Sequence, residues 1–314
     1  MRAFMDNIHQ SVKSRELAVK KWISSSSVED AIRLSGCPGI EQVESLIRPL
    51  AQKGDFAEFY GKGIEFGAGM GVLSASMLRL SDEFDFRIGK LVAVESCKPY
   101  VEIGINKTAK YFLGQAGSKL VAKEEDFENL TFISGEFDFG IQIESLHHAD
   151  NIEKAVSEIY RVLKSGGMFL SIDRSWPNSV SEETLEEMLN HEYGERWLKE
   201  KGFADSGVLR RRDNGEHEYR DFEWEKFFND AGFVKVREYK SSTALKSWKL
   251  KKSLASLPVM RKLLKIKVPI RYSSILAGLE MAVFKKNRIS ILSPVNSFIS
   301  NYPRDLQIQF WRKP

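Results

Sequence analysis

A chain of 314 residues, 42% hydrophobic, 29% charged and 11% aromatic, carries enough apolar mass for one large α/β core with appendages or for two small domains. Its two cysteines, Cys37 and Cys97, stand too far apart for a local metal clip and make no disulfide framework, which points to a reducing compartment. The net charge of +4 hides an asymmetry: Tyr239 to Leu279 holds ten Lys or Arg and no acid, so the remainder carries 4 − 10 = −6.

Residues 1–58 read as a helical N-terminal region or lid. Val43, Leu46, Ile47 and Leu50 recur at helical spacing, Ser24 to Ser27 make a polar break, and Cys37-Pro38-Gly39 makes a turn. Across 59–286, strand-like runs at Gly63–Phe66, Lys90–Glu95, Lys119–Lys123, Phe139–Ile143 and Met168–Ile172 alternate with helical ones. This is the pattern of a parallel sheet covered on both faces. Leu163 to Gly167 closes a helix with glycines and feeds the fifth strand, Glu225–Ala231 reads as a helix, and Glu280–Lys285 reads as the last strand. Two segments fall outside that alternation: a polar insertion at 177–221 and the basic insertion at 241–276. The C-terminal tail, 287–314, is of mixed character.

Gly63-Ile64-Glu65-Phe66-Gly67-Ala68-Gly69-Met70-Gly71 is a short apolar strand that runs into three alternating glycines and then an apolar helix. Such glycines let a ligand approach main-chain N–H groups at a helix N-terminus. The dinucleotide fingerprint is G-x-G-x-x-G. Here the spacing is G-x-G-x-G, and Glu65 inside the run would repel a pyrophosphate but suits a ligand that carries an ammonium. A nicotinamide enzyme is therefore the least favoured reading.

Together with Phe137-Asp138 and Leu146-His147-His148, which follow in the same order, this run resembles the class I S-adenosylmethionine-dependent methyltransferases, type-11-like small-molecule and glycan enzymes, over 60–175 and again over 222–286. The resemblance implies an α/β, doubly wound seven-stranded sheet of Rossmann-like methyltransferase type, with insertions after strand 5 and before strand 7. It also implies S-adenosylmethionine as cofactor and S-adenosylhomocysteine as product. Gly67, Ala68, Gly69 and Gly71 would admit the cofactor against the backbone, with Glu65 near its methionine ammonium. Glu95 at a strand end would accept from both ribose hydroxyls, with Ser96 beside it. The 124–130 loop resembles a family segment in which Asp126, with Glu125 one register away, takes the adenine amino group and Phe127 flanks the ring. Glu144 completes the cofactor set.

His147 and His148 are candidate bases, since imidazole titrates near neutral pH; the open alternative is that one of them packs or caps a helix. After the fifth strand, Arg174 is a candidate hold for an anionic substrate group and Trp176 a stacking surface for a ring or sugar. Glu216 and His217 are similar to an acidic–histidine element of glycan methyltransferases, a second base or ligands for a divalent ion, with a charged turn as the plain alternative. Arg210-Arg211-Arg212 reads as an anion clamp or a solvated run. A metal requirement stays open.

Lys246 to Arg271 forms a basic amphipathic pattern, read as a solvated lid or dimer helix, as a contact to an anionic membrane surface or lipid-linked acceptor, or as a nucleic-acid contact. The sequence opens without a signal-peptide core and contains no run of 18 apolar residues, so a cytoplasmic protein is expected, with attachment to the inner membrane surface through the basic stretch as one alternative. The function expected is O-methylation of a sugar, lipid-linked glycan or related metabolite. RNA or protein methylation and a non-catalytic cofactor-binding module are the alternatives.

Overall fold

The computed structural model describes residues 16–84, 86–201, 208–241 and 305–314. Helices α1 (16–25), α2 (Val28–Ser35) and α3 (Ile40–Gln52) precede β1 (Gly61–Phe66). Local chemistry sets their ends. The Ser27 hydroxyl accepts from Asp30 N at the start of α2, and Gly36 closes that helix at φ 84. Lys107 donates to Ile23 O at 2.7 Å and Ser26 O at 2.5 Å, so carbonyls at the end of α1 are satisfied by a side chain.

From β1 the chain alternates through α4 (Val72–Phe84), β2 (Ile88–Glu95) and a π-helical turn into α5 (Ile105–Leu113). It continues through β3 (Leu120–Glu124), β4 (Phe137–Ile143), α6 (Ile152–Val162) and β5 (Leu163–Ser175). The insertion that follows holds α7 (Glu182–Leu189) and α8 (Glu195–Lys201). Then come α9 (Asp221–Asp230), β6 (Val234–Ser241) and β7 (Asp305–Arg312).

Seven strands lie in the order β3-β2-β1-β4-β5-β7-β6. The pairs β1–β2, β1–β4, β2–β3 and β4–β5 are parallel. Gly166 N donates to Lys313 O at 2.7 Å and Lys313 N to Gly167 O at 3.0 Å. The end of β7 thus lies beside the start of β5, and β7 runs antiparallel. The sheet is buried because its strands are apolar on both faces: Ile64, Phe66, Val94, Phe137 and Phe169 meet helix side chains Val156, Ile159 and Phe228 in one cluster. Because β1 pairs with both β2 and β4, the chain reverses direction of growth at β1. The crevice beyond its carboxyl end is where an open α/β sheet binds ligands.

One expectation needs correction. The last described strand, set between β5 and β6, is Asp305–Arg312, from the stretch read as a mixed tail; Glu280–Lys285 lies outside the described residues. Gln307 and Gln309 mask the strand pattern in sequence, yet both are buried alongside Ile308, Phe310 and Trp311. The basic insertion 241–276, with its amphipathic stretch 246–271, also lies outside the described residues apart from Ser241. Among the described residues no helix is long and apolar enough to cross a membrane.

Candidate active site at the carboxyl ends of the central strands

The turn after β1 takes the left-handed backbone that its glycines permit, with φ of 64 at Gly67, 51 at Gly69 and 74 at Gly71. Space is as restrictive as conformation. A Cβ on Gly67 would lie 2.5 Å from Ser145 Cβ, and one on Gly69 would lie 2.8 Å from Cys37 Sγ. Cys37, in the turn between α2 and α3, therefore sits against the loop, and burial pushes its thiol pKa up.

Glu65 is 1% exposed. Its carboxyl accepts from Ser74 N at 3.1 Å and from the Ser74 hydroxyl, in the first turn of α4. Burial nonetheless pushes its pKa up to about 8, against the lowering effect of Ser74. Glu95 holds the opposite side of the loop: its two oxygens accept from Gly69 N at 2.8 Å and Cys97 N at 2.9 Å. Ser96 beside it is exposed.

Beyond β3, both candidate adenine acceptors are engaged within their own loop. Asp126 accepts from Glu128 N at 2.8 Å and Asn129 Nδ2 at 3.0 Å, and Glu125 from Thr131 N at 3.1 Å. Of the two, Asp126 is exposed and Glu125 half-buried. The Phe127 ring comes within 3.5 Å of where a Gly67 Cβ would stand, so it borders the glycine loop. Glu144, at the end of β4, is the non-glycine residue with left-handed backbone among those described, at φ 47. Strain of this kind clusters at functional sites.

The ends of β4 and β5 carry a buried polar group that the sequence did not disclose. His147 Nδ1 lies 2.6 Å from Asp173 Oδ1, and both side chains are 3% exposed. Burial pushes Asp173 up to about 6, opposed by the neighbouring Arg174. Gln142 Nε2 donates to Ser171 Oγ at 2.8 Å and to Asp173 Oδ2 at 3.3 Å. His148 is the more open of the two histidines, with Nδ1 at 3.1 Å from Gly215 O. The protein packed round its ring, and then Arg174, hold its pKa below the ordinary value.

Arg174 and Trp176 are engaged with partners inside the protein. Arg174 donates to Glu216 at 2.6 Å, and Arg211 donates to Glu218 at 2.5 Å and also pairs with Glu216. Burial works against the charge on Arg174, but Glu216, Glu218, Asp173 and Glu144 outweigh it and raise its pKa. Trp176 is 1% exposed, with Nε1 donating to Glu218 at 2.7 Å, so it offers no face to a sugar ring. Glu216 is no base either: burial raises its pKa, yet the two guanidiniums prevail and hold it far below the usual carboxylate range. His217 is tied through N and Nδ1 to His147 O at 2.9 and 3.2 Å. Among the described residues no group of three or more His, Cys, Asp or Glu is arranged to hold a metal ion. Of the Arg210–Arg212 run, Arg211 is internal and Arg212 pairs with Glu186 at 2.5 Å. Replacing Arg174 by methionine is expected to destabilise the protein by about 3–5 kcal/mol, because it strands Glu216 and Glu218 beside one remaining arginine. Urea denaturation checks this; an unchanged midpoint would mean that the cluster is not closed.

A family model described as a methyltransferase domain matches residues 64–171, from β1 through the glycine loop to β5. That stretch is a methyltransferase domain, similar to those of the class I S-adenosylmethionine-dependent enzymes. Sterol 24-C-methyltransferase of Pneumocystis carinii is 38% identical over 76 residues, 24% of this chain and 20% of that protein. The uncharacterised methyltransferase YcgJ of Bacillus subtilis is 29% identical over 129 residues, 41% of this chain and 45% of its own. The crystal structure of YcgJ superposes with a TM-score of 0.45 at 18% identity, covering 81% of this chain and 93% of that one. The chain spans less than half the length of both curated relatives. Sequence reasoning gave no role of their own to Gln142 and Ser145, nor to Asp173, which lies just beyond the matched residues. Asp173 had a readable signal, as an acid at the carboxyl end of the strand next to the one that leads into His147.

Proposed function

We propose that this methyltransferase transfers the methyl group of S-adenosylmethionine to a hydroxyl of a small-molecule acceptor, with His147 as general base and Asp173 as its partner. The buried pair at 2.6 Å carries the proposal. Both residues stand at carboxyl ends of adjacent parallel strands, on the same edge of the sheet as the glycine loop. The loop fits the cofactor, since side chains at Gly67 or Gly69 would fill it and Glu95 already directs a carboxylate across it. Gly67, Ala68, Gly69 and Gly71 would line the cofactor, Glu65 and Glu144 would face its amino-acid end, Glu95 and Ser96 its ribose, and Asp126 and Phe127 its adenine. When bound, the cofactor supplies a methyl group activated on a sulfonium.

The protein's own part is to orient the acceptor and take its proton. Asp173 accepts from His147 Nδ1–H, which leaves Nε2 as the lone-pair nitrogen, and an ionised Asp173 stabilises the imidazolium formed when Nε2 receives the hydroxyl proton. Arg174 N donates to Asp173 Oδ1 at 2.8 Å and steadies that carboxylate. The acceptor class inferred from sequence is a sugar, a lipid-linked glycan or a related metabolite, reached by a cytoplasmic protein that the basic stretch 246–271 would bring to an anionic membrane surface.

Calorimetric titration with S-adenosylhomocysteine tests the cofactor half, and transfer of labelled methyl to a panel of sugar, lipid-linked, RNA and protein acceptors tests the other. Micromolar binding with transfer to hydroxyl acceptors supports the proposal; transfer confined to RNA or protein, or binding without any transfer, overturns it. Glu95→Ala is expected to weaken S-adenosylhomocysteine by about tenfold or more, since charge-assisted bonds to two hydroxyls are lost. Full affinity in that variant would remove Glu95 from the ribose.

A further inference from the structure

Gln142 is fully buried in the interior of β4, and every polar atom of its side chain is used. Its amide nitrogen donates to Ser171 Oγ at 2.8 Å and to Asp173 Oδ2 at 3.3 Å. Its oxygen accepts from Ser145 N at 3.1 Å and from Ser145 Oγ at 3.0 Å. Donors on one side and acceptors on the other fix which end is nitrogen. Ser145 Oγ also lies 2.8 Å from Phe66 O, on the residue just before Gly67, so its one hydroxyl proton is shared between that carbonyl and Gln142, and its Cβ closes the space beneath Gly67. A continuous buried chain thus runs from the glycine loop through Ser145 and Gln142 to Asp173 and His147.

We infer that Gln142 is the positioning residue of the His147–Asp173 pair, which orients the Asp173 carboxylate and sets the proton affinity of the pair, with Ser145 linking it to the cofactor loop. The inference rests on the reading of that pair as the base. A fully buried glutamine has no other way to satisfy its amide than through these partners, and a half-satisfied network would cost more than an apolar side chain of the same shape. Its N–H dipole points at Asp173 and favours the ionised carboxylate, so removing it makes the pair hold its proton more tightly. Other charged groups bear on the same imidazole. His148 stands on the same turn with ring centroids 4.2 Å apart, Arg174 on β5, and Glu216 and His217 on the segment that bonds to His147 O. None of these changes when Gln142 is replaced.

The test is NMR titration of 15N-histidine-labelled full-length protein, which the five histidines of the chain keep tractable. Gln142→Leu is expected to move the His147 midpoint upward by about one pH unit, and Ser145→Ala to move it the same way by less, with S-adenosylhomocysteine affinity held within about threefold. Equal midpoints in wild type and in both folded variants overturn the inference. So does the absence of any His147 titration between about pH 5 and 9 in all three proteins. If Gln142→Leu does not fold, Ser145→Ala alone decides. The readout needs no acceptor: a shifted midpoint in a protein that methylates nothing would sustain the positioning role while defeating the proposed reaction.

Discussion

Asp173→Asn is expected to lower methyl transfer by about 10²- to 10⁴-fold while leaving S-adenosylhomocysteine binding unchanged. The side chain keeps its size at a site that is 3% exposed, so packing survives; what disappears is the charge opposite His147 Nδ1 at 2.6 Å. An amide there can donate as well as accept. It no longer selects the imidazole form with its lone pair on Nε2, and it no longer stabilises the imidazolium. The pH profile sharpens the test. With Asp173 near 6, the paired carboxylate is mostly ionised at neutral pH, and the rate should fall as pH drops through that value. The acidic limb should vanish in Asp173→Asn. Wild-type turnover in that variant would acquit His147 and shift attention to His148, whose more open ring stays neutral at pH 7 because its pKa is held below the ordinary value.

Glu65→Gln is expected to make the protein more stable at alkaline pH while weakening its hold on the cofactor. The folded-state carboxyl, near 8, lies above its ordinary 4.5, so the buried neutral form favours folding. For a raised pKa the contribution is fully present below about pH 4.5 and is lost as pH rises through 8. The loss is on the order of 5 kcal/mol at full ionisation, and glutamine, which never ionises, escapes it. It can still accept from Ser74 N, so the first turn of α4 keeps its partner. Urea midpoints at pH 5 and pH 9 measure the difference: the advantage of the variant should grow between them, and a constant offset would show that Glu65 does not titrate in the fold. The cofactor's ammonium reverses the preference, because it stabilises the ionised carboxylate. Wild-type affinity for S-adenosylhomocysteine should therefore rise between pH 6 and 8, and that rise should be lost with glutamine.

The five parallel strands were legible because each is a compact apolar run with helix between, and their positions in the fold lie within a few residues of those runs. The glycine loop was legible for a related reason: three glycines at alternate positions are hard to place anywhere except a turn with left-handed backbone, as Gly67 and Gly69 show. What escaped the sequence depends on partners distant in the chain. Arg174 looks like an anion hold until Glu216, more than forty positions away, is found against it. Trp176 looks like a stacking platform until Glu218 takes its indole N–H. Asp173 gains meaning only because β4 and β5 are neighbours. The seventh strand was missed because alternating glutamines read as polar tail, whereas in the sheet Gln307 donates to Asp221 at 3.1 Å and so can be buried.

The position of β7 sets an order of events at the ribosome. Strand β6 reaches the sheet only through β7, which lies between it and β5, yet β6 is made first and all the residues between Ser241 and Asp305 come before its neighbour. At ordinary elongation rates β5 and β6 wait on the order of ten seconds with open edges. During that interval the nascent chain presents unpaired strand edges and the surface that Phe310 and Trp311 will cover.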